Sequence, residues 1–283
     1  MRQTVLAQRL IAILLALTAL VSGAAAGPPI GAFKKVFVVV LENTDYELAI
    51  RQDFLGRLAR RGGLLANFHD VGHPSQPNYI AMIAGDRLGV TGDDNVTLNA
   101  PHLADRLEAR GLDWKVYAEG FPGKCFLGAR SGRYVRKHVP FLSFASVQHD
   151  PKRCARIVSA DTLDADIRAN ALPAFSLYVP DLRNDGHDTG VQYADRWLAG
   201  RFGPLLQRTD FMKDILLVVT FDEASAANDH IATILLGDSI RPGSRSDTRY
   251  DHYALLKLIV DGLQLRSVGP HDAVAPTIDG VWR

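Results

Sequence analysis

Residues 35–41 (Lys-Val-Phe-Val-Val-Val-Leu) and 214–221 (Asp-Ile-Leu-Leu-Val-Val-Thr-Phe) are near-continuous apolar runs of strand length, and they constrain the fold most. A strand with one wet face alternates polar and apolar residues, so a run without alternation is buried on both faces. Further strands are expected at 64–68, 114–118, 174–179 and 231–236, with helical spacing over 46–61, 101–110, 160–171, 191–207 and 251–262. Apolar strands separated by amphipathic helices imply an α/β chain with a mostly parallel sheet covered on both faces. Residues 120–160 lack clear periodicity and hold both cysteines, Cys125 and Cys154, so they read as an irregular insertion in one domain spanning 27–283.

The first 26 residues are of another kind. Arg2 and Arg9 precede an apolar run over 10–21, and Ser22-Gly23-Ala24-Ala25-Ala26 follows, the pattern of a secretory signal cleaved after Ala26. The run is shorter than the roughly 20 residues of a spanning helix, so no stable membrane anchor is expected. Export leads to an oxidising space, secreted or periplasmic, where an even pair of cysteines reads as a disulfide. A formal net charge of +1 argues against a nucleic-acid partner or a polybasic membrane footprint.

In a parallel sheet, ligands bind beyond the carboxyl ends of the strands. Glu42-Asn43 follows the first run, Asp222-Glu223 follows the run at 214–221, and Asp185, His187 and Asp188 follow 174–179. Any one of these is ordinary for a polar loop. Together, Glu42, Asn43, Asp222 and Glu223 offer hard oxygen donors for one divalent cation: Mg²⁺, Ca²⁺ or Mn²⁺, with Zn²⁺ also open. Such a cation would relieve the mutual repulsion of the carboxylates.

Ser75 lies in His73-Pro74-Ser75-Gln76-Pro77-Asn78-Tyr79, where an extended segment gives way to an apolar helical run. Two prolines restrict the backbone around its hydroxyl, and a helix N-terminus there favours a bound anion. Taken alone, the segment reads better as a Pro-rich turn with a serine N-cap. Next to a cation, the same hydroxyl becomes a nucleophile. Of nine histidines, His187 stands out between Asp185 and Asp188, and His252 because it opens a helix. His69, His102, His149 and His271 sit in ordinary contexts, His230 is ambiguous, and His73 reads as a turn residue. Lys137 and His138 belong to a basic run at 133–138, either a solvated face or a site for a phosphate or phosphoinositide headgroup.

These motifs, with Leu41-Glu42-Asn43, Tyr134 to Pro140, Asn184 to Asp188, Thr220 to Glu223, Arg241-Pro242-Gly243 and His252-Tyr253, occur in the order found in the phosphoesterase family of bacterial acid phosphatases and phospholipases C. The chain resembles the short secreted acid-phosphatase branch of that family over about residues 35–253. The resemblance implies an alkaline-phosphatase-like three-layer α/β/α sandwich. It implies metal ligation by Glu42, Asn43, Asp222 and Glu223, with Ser75 as nucleophile and Asn78, Asp185, His187 and His252 around the phosphate. Two departures stand out: Asp222-Glu223 where some members carry two aspartates, and Thr44 where an arginine is often found.

The expected activity is hydrolysis of small phosphomonoesters, phosphoinositides included, through a phosphoserine intermediate, with His187 or His252 protonating the leaving group. Two other readings remain at this level. One is a phospholipase C using the same site, and the other is a secreted protein that holds phosphate or a cation without turnover.

Overall fold

The computed structural model describes residues 27–225 and 227–283, so the expected signal segment, residues 1–26, lies outside the described residues. The strands in chain order are β1 (Lys35–Leu41), β2 (Gly63–His69), β3 (Trp114–Ala118), β4 (Arg130–Ser131), β5 (Tyr134–Val135), β6 (Ile157–Ser159), β7 (Phe175–Val179), β8 (Ile215–Phe221), β9 (His230–Leu236), β10 (Ser244–Ser246) and β11 (Tyr250–Asp251). β4 and β5 form a separate antiparallel hairpin. The others form a nine-stranded sheet in the order β10-β2-β9-β8-β1-β7-β3-β6, with β11 also paired to β2.

The two runs without alternation, β1 and β8, are neighbours at the centre, and β7 flanks β1 on the other side. All three are parallel. Every residue of β8, and Val36 to Leu41 of β1, is buried, as a strand covered on both faces requires. On one side the helix Ser75–Ala84 packs against the helix His252–Gly262; on another, Asp53–Arg61 packs against Val191–Phe202.

β9 runs antiparallel to both β8 and β2. Two reversals leave β2 parallel to β1 and β8, so its carboxyl end, like theirs, points to one edge. Register does the rest. Leu41 pairs with Phe221, which sets Glu42 beside Asp222, and the Asp222 N–H donates to the Leu41 carbonyl at 3.0 Å.

Several elements end where side chains, not periodicity, decide. Residues 46–61 fold as two helices, Tyr46–Ile50 and Asp53–Arg61, because the buried Asp195 carboxylate accepts the Phe54 and Leu55 N–H groups and starts the second. The helix from Val191 stops at Phe202, just before Gly203 and Pro204, where proline has no N–H to continue it. Residues 120–160 carry short strands and helical turns, and their β6 extends the main sheet beside β3. Phe141 stacks on Trp114 with ring centroids 4.5 Å apart, and Cys125 is bonded to Cys154. This segment therefore packs into the core.

Candidate active site

Ser75 is the first residue of the helix Ser75–Ala84, and it is buried. Glycine at position 85 ends that helix in a left-handed conformation (φ 65°), where a Cβ would run into the Asp272 carboxylate. β2 leads into the turn Asp70–Pro74. Asn78 holds this turn together: its Oδ1 accepts from Val71 N at 2.9 Å, and its Nδ2 donates to the Gly72 and Pro74 carbonyls. The Asn78 amide is thus committed to the backbone that delivers Ser75.

Three charged side chains meet the Ser75 hydroxyl. Glu42 Oε2 lies at 3.2 Å, Glu223 Oε1 at 3.1 Å and Lys137 Nζ at 3.4 Å. Around them, Tyr79 donates its hydroxyl to Glu42 Oε1 at 2.6 Å, and Asn43 Nδ2 donates to Glu223 Oε1 at 2.9 Å. His73 Nδ1 is 2.6 Å from Glu223 Oε2, while its Nε2 donates to the Asn228 carbonyl at 3.1 Å. The His138 ring stacks on Tyr79, with Nε2 3.3 Å from Glu42 Oε1 and Nδ1 3.7 Å from Asp185 Oδ2.

The electrostatics are those of crowded anions. Burial, and next the charge of Asp185, pushes Glu42 well above the usual carboxylate range. Burial, with Glu42 and Glu223 adding to it, does the same to Asp222. Burial lifts Asp185 to about 8 and raises Glu223. Burial, with Lys137 and His187 nearby, holds His138 well below the usual imidazole value. For Lys137 burial opposes the charge, but the hydrogen bond to Asp93 and the charge of Glu42 outweigh it and the pKa rises.

The donor set fits a divalent cation. Among the described residues no hydrogen-bond donor reaches Asp185 Oδ2 or Asp222 Oδ2, although both atoms are buried. Buried carboxylate oxygens without a donor cost several kcal/mol as a rule, and a cation satisfies them. Glu42, His138 and Asp185 bring potential ligand atoms within 4.8 Å of one another, so an imidazole joins the oxygen donors found in the sequence.

The two histidines expected to move protons differ sharply in environment. His187 is 39% exposed, and its Nδ1 lies 2.8 Å from Asp188 Oδ1. His252 is fully buried, donates Nε2–H to the Asp222 carbonyl, and is lowered to about 4 by burial. It braces the strand end that carries Asp222. The basic run at 133–138 also divides: Arg136 is buried and donates to the Leu127, Val96 and Leu142 carbonyls, while Lys137 and His138 enter the site.

Sequence reasoning passed over Tyr79, Asp93 and the part played by His73. Tyr79 follows the serine by one helical turn, the spacing that puts both on one face. Asp93 sits in Gly92-Asp93-Asp94-Asn95, which carries no signal beyond a polar loop. Two polar depressions flank the turn before Ser75, one of about 580 Å³ against Asn228 and Asp229 and one of about 440 Å³ against Arg87 and Tyr253. A third cavity of about 380 Å³, lined by Arg61, Arg208 and Arg283, lies at the opposite ends of β8 and β9. The convergence of charged groups, and not cavity size, locates the site.

A model of the phosphoesterase family matches residues 49–266. A probable acid phosphatase of Kluyveromyces lactis is 35% identical over 262 residues, covering 88% of this chain and 62% of that protein. An acid phosphatase of Aspergillus fumigatus is 33% identical over 262 residues, covering 88% and 59%. A phosphatidylinositol-3-phosphatase of Mycobacterium tuberculosis is 30% identical over 257 residues, covering 88% and 83%. The chain thus spans about three fifths of the length of the two fungal proteins.

Among solved structures, an alkaline-phosphatase-superfamily protein from Vibrio parahaemolyticus superposes with a TM-score of 0.61 at 12% identity, over 87% of this chain and 71% of that one. Mouse ectonucleotide pyrophosphatase/phosphodiesterase 5 gives 0.57 at 12% identity, over 84% and 96%. Those similarities establish the fold, of alkaline-phosphatase type. The family match covers most of the residues between β1 and the last helices, and the ordered motifs lie within the same fold: the chain belongs to the phosphoesterase family.

Proposed function

We propose that this protein is a secreted, metal-dependent acid phosphatase that hydrolyses phosphate monoesters through a phosphoserine at Ser75. The observation that carries the reading is the Ser75 hydroxyl at a helix N-terminus, within 3.4 Å of two carboxylates and an ammonium group. The names of the fungal relatives support the reaction class.

The Ser75 proton passes to Glu42 Oε2 or Glu223 Oε1, the oxygens that accept it in the structure. Ser75 Oγ then bonds to phosphorus as the bond to the leaving oxygen breaks. Lys137 faces the negative charge of the equatorial oxygens, and the helix start adds little to it, because the Gln76 N–H is held by Asp93 and Pro77 has no N–H. His187 at the solvent edge protonates the departing alkoxide, and His252 keeps Asp222 in place. Water then bonds to phosphorus and gives a proton to the now neutral His187 as the bond from phosphorus to Ser75 Oγ breaks; Ser75 takes its proton back from the carboxylate, and inorganic phosphate leaves. A bound divalent cation held by Glu42, Asn43, Asp222 and Glu223, with Asp185 and His138 adjoining, supplies Lewis-acid stabilisation of that charge.

The Mycobacterium tuberculosis relative acts by name on a phosphoinositide and is matched over most of both chains, which supports phosphoinositides among the substrates. Export is supported by the N-terminal sequence and by the Cys125–Cys154 bond. Among the described residues, no helix is long and apolar enough to cross a membrane.

The test is phosphate release by wild type and Ser75→Ala on a panel of sugar phosphates, nucleotides and phosphoinositides, with acid-quench trapping of phosphoserine. Loss of release and of the trapped intermediate in the variant is expected. Release by Ser75→Ala above background would refute the assignment. Diacylglycerol from phosphatidylcholine would favour a phospholipase C, and phosphate binding without any turnover would mark a binding protein.

A further inference from the structure

Asp93 lies outside every motif described above, yet both of its carboxylate oxygens are used within the site. Oδ1 accepts from the backbone N–H of Gln76, the residue after Ser75, at 3.0 Å. Oδ2 pairs with Lys137 Nζ at 2.7 Å, and the same ammonium reaches Ser75 Oγ at 3.4 Å. One carboxylate therefore ties the first turn of the nucleophile's helix to the cation beside the nucleophile.

The loop that carries Asp93 is itself held. The buried Arg136 guanidinium donates to the Val96 carbonyl at 2.7 Å, and Gln148 Nε2 donates to the same carbonyl at 3.4 Å. Leu98 bridges Phe144 through Leu98 N to Ser143 O and Ala145 N to Leu98 O. Arg136 is the chain neighbour of Lys137, so the Asp93 loop and the lysine rest on one support.

A lysine ammonium is a point charge on a flexible four-carbon stem, with no geometry of its own to aim it. Left free, it would pair with the nearest carboxylate, and Glu42 and Glu223 stand within reach of Ser75. An outer carboxylate that takes one N–H of the ammonium leaves the others directed inward.

We infer that Asp93 is a positioning residue, which sets the Lys137 ammonium against the phosphate position and pins the N-terminal turn that presents Ser75. The inference rests on the proposed phosphatase reading for its kinetic consequence, while phosphate binding tests it without turnover. A positioned charge of this kind acts on phosphate in the ground state as well as in transfer, so its loss raises KM and weakens the product.

The informative variant is Asp93→Asn. Its side-chain oxygen still accepts from Gln76 N, but its amide offers the ammonium no counter-charge. Two readouts are needed on the metal-bound protein as purified: kinetics on a small phosphomonoester, and Kd for inorganic phosphate by calorimetry. Asp93→Asn should raise KM and weaken phosphate binding about tenfold, the loss of one charge-assisted hydrogen bond, with an unchanged melting temperature. In a Lys137→Ala background the same substitution should add less than about twofold, because two residues acting through one contact do not add. Asp93→Glu should recover part of the loss.

An Asp93→Asn protein with wild-type KM and Kd would overturn the inference, and so would effects of Asp93→Asn and Lys137→Ala that multiply. A wild type that binds phosphate without hydrolysing any ester would remove the phosphatase reading, and the Kd series would still decide the role of Asp93. A wild type that binds no phosphate overturns both.

Discussion

His187 and His252 were equivalent candidates in the sequence, and their surroundings separate them. His187 reaches solvent beside Asp188, whereas His252 has its one proton committed to the Asp222 carbonyl. A general acid matters most when the leaving oxygen is a poor leaving group. His187→Asn should therefore lower kcat/KM for an alkyl phosphate about 100-fold or more, yet lower it less than tenfold for 4-nitrophenyl phosphate; equal losses on both would refute the role.

Asp185 permits a pH prediction. Burial raises its folded-state pKa to about 8 from an ordinary 3.8. An acid raised in this way favours the folded state below its unfolded pKa, and that contribution is lost as pH rises through the folded value. The buried His102 and His252, both lowered to about 4, have the opposite sign and act as pH falls from 6.5. Glu42, Asp222 and Glu223, also raised by burial, share the sign of Asp185, so between pH 8 and 6.5 Asp185 supplies one part of a dependence that the whole cluster carries. There the melting temperature of chelated protein should rise as pH falls, and Asp185→Asn should make that rise shallower; an unchanged slope would count against the cause.

Helix starts in this chain are set across elements as much as within them. Asp195, on the helix Val191–Phe202, caps the helix Asp53–Arg61 by accepting from Phe54 N and from Leu55 N at 2.7 Å. Asp195→Ala leaves buried N–H groups without a partner and should cost about 1–3 kcal/mol in denaturant unfolding. Its place away from Ser75 predicts an unchanged KM, and a KM shift would show that the two helices also position the site. The run at 46–61 looked continuous because periodicity records which face is buried and says nothing of a cap borrowed from residue 195.

At the scale of the whole molecule, Cys125–Cys154 spans 29 residues, and between them lie Arg136, Lys137 and His138. Removing such a link costs about 3–4 kcal/mol through the entropy regained by the unfolded chain. Cys125→Ser with Cys154→Ser should lower unfolding stability by that order. It should also lower kcat/KM, because the segment bearing two site residues loses an anchor; full activity at unchanged stability would refute both parts.

The six long strands and the chemistry at their ends are legible in the residues alone, whereas the two- and three-residue strands β4, β5, β6, β10 and β11 are not. Uninterrupted apolar runs admit one environment, and Glu42, Asn43, Asp222, Glu223 and Ser75 were legible because each adjoins such a run or a proline-marked helix start. Which of these ends meet depends on strand order. The order β2-β9-β8-β1-β7, with β9 reversed, brings the turn to Ser75 onto the same edge as Glu42 and Asp222. Lys137 and His138 were legible only as a basic run that is either a solvated face or a phosphate site, and Asp93, from the separate loop after Gly92, carried no signal; they join the site through Arg136, a disulfide and single hydrogen bonds. Such contacts pair residues far apart in the chain, and no local spacing encodes them.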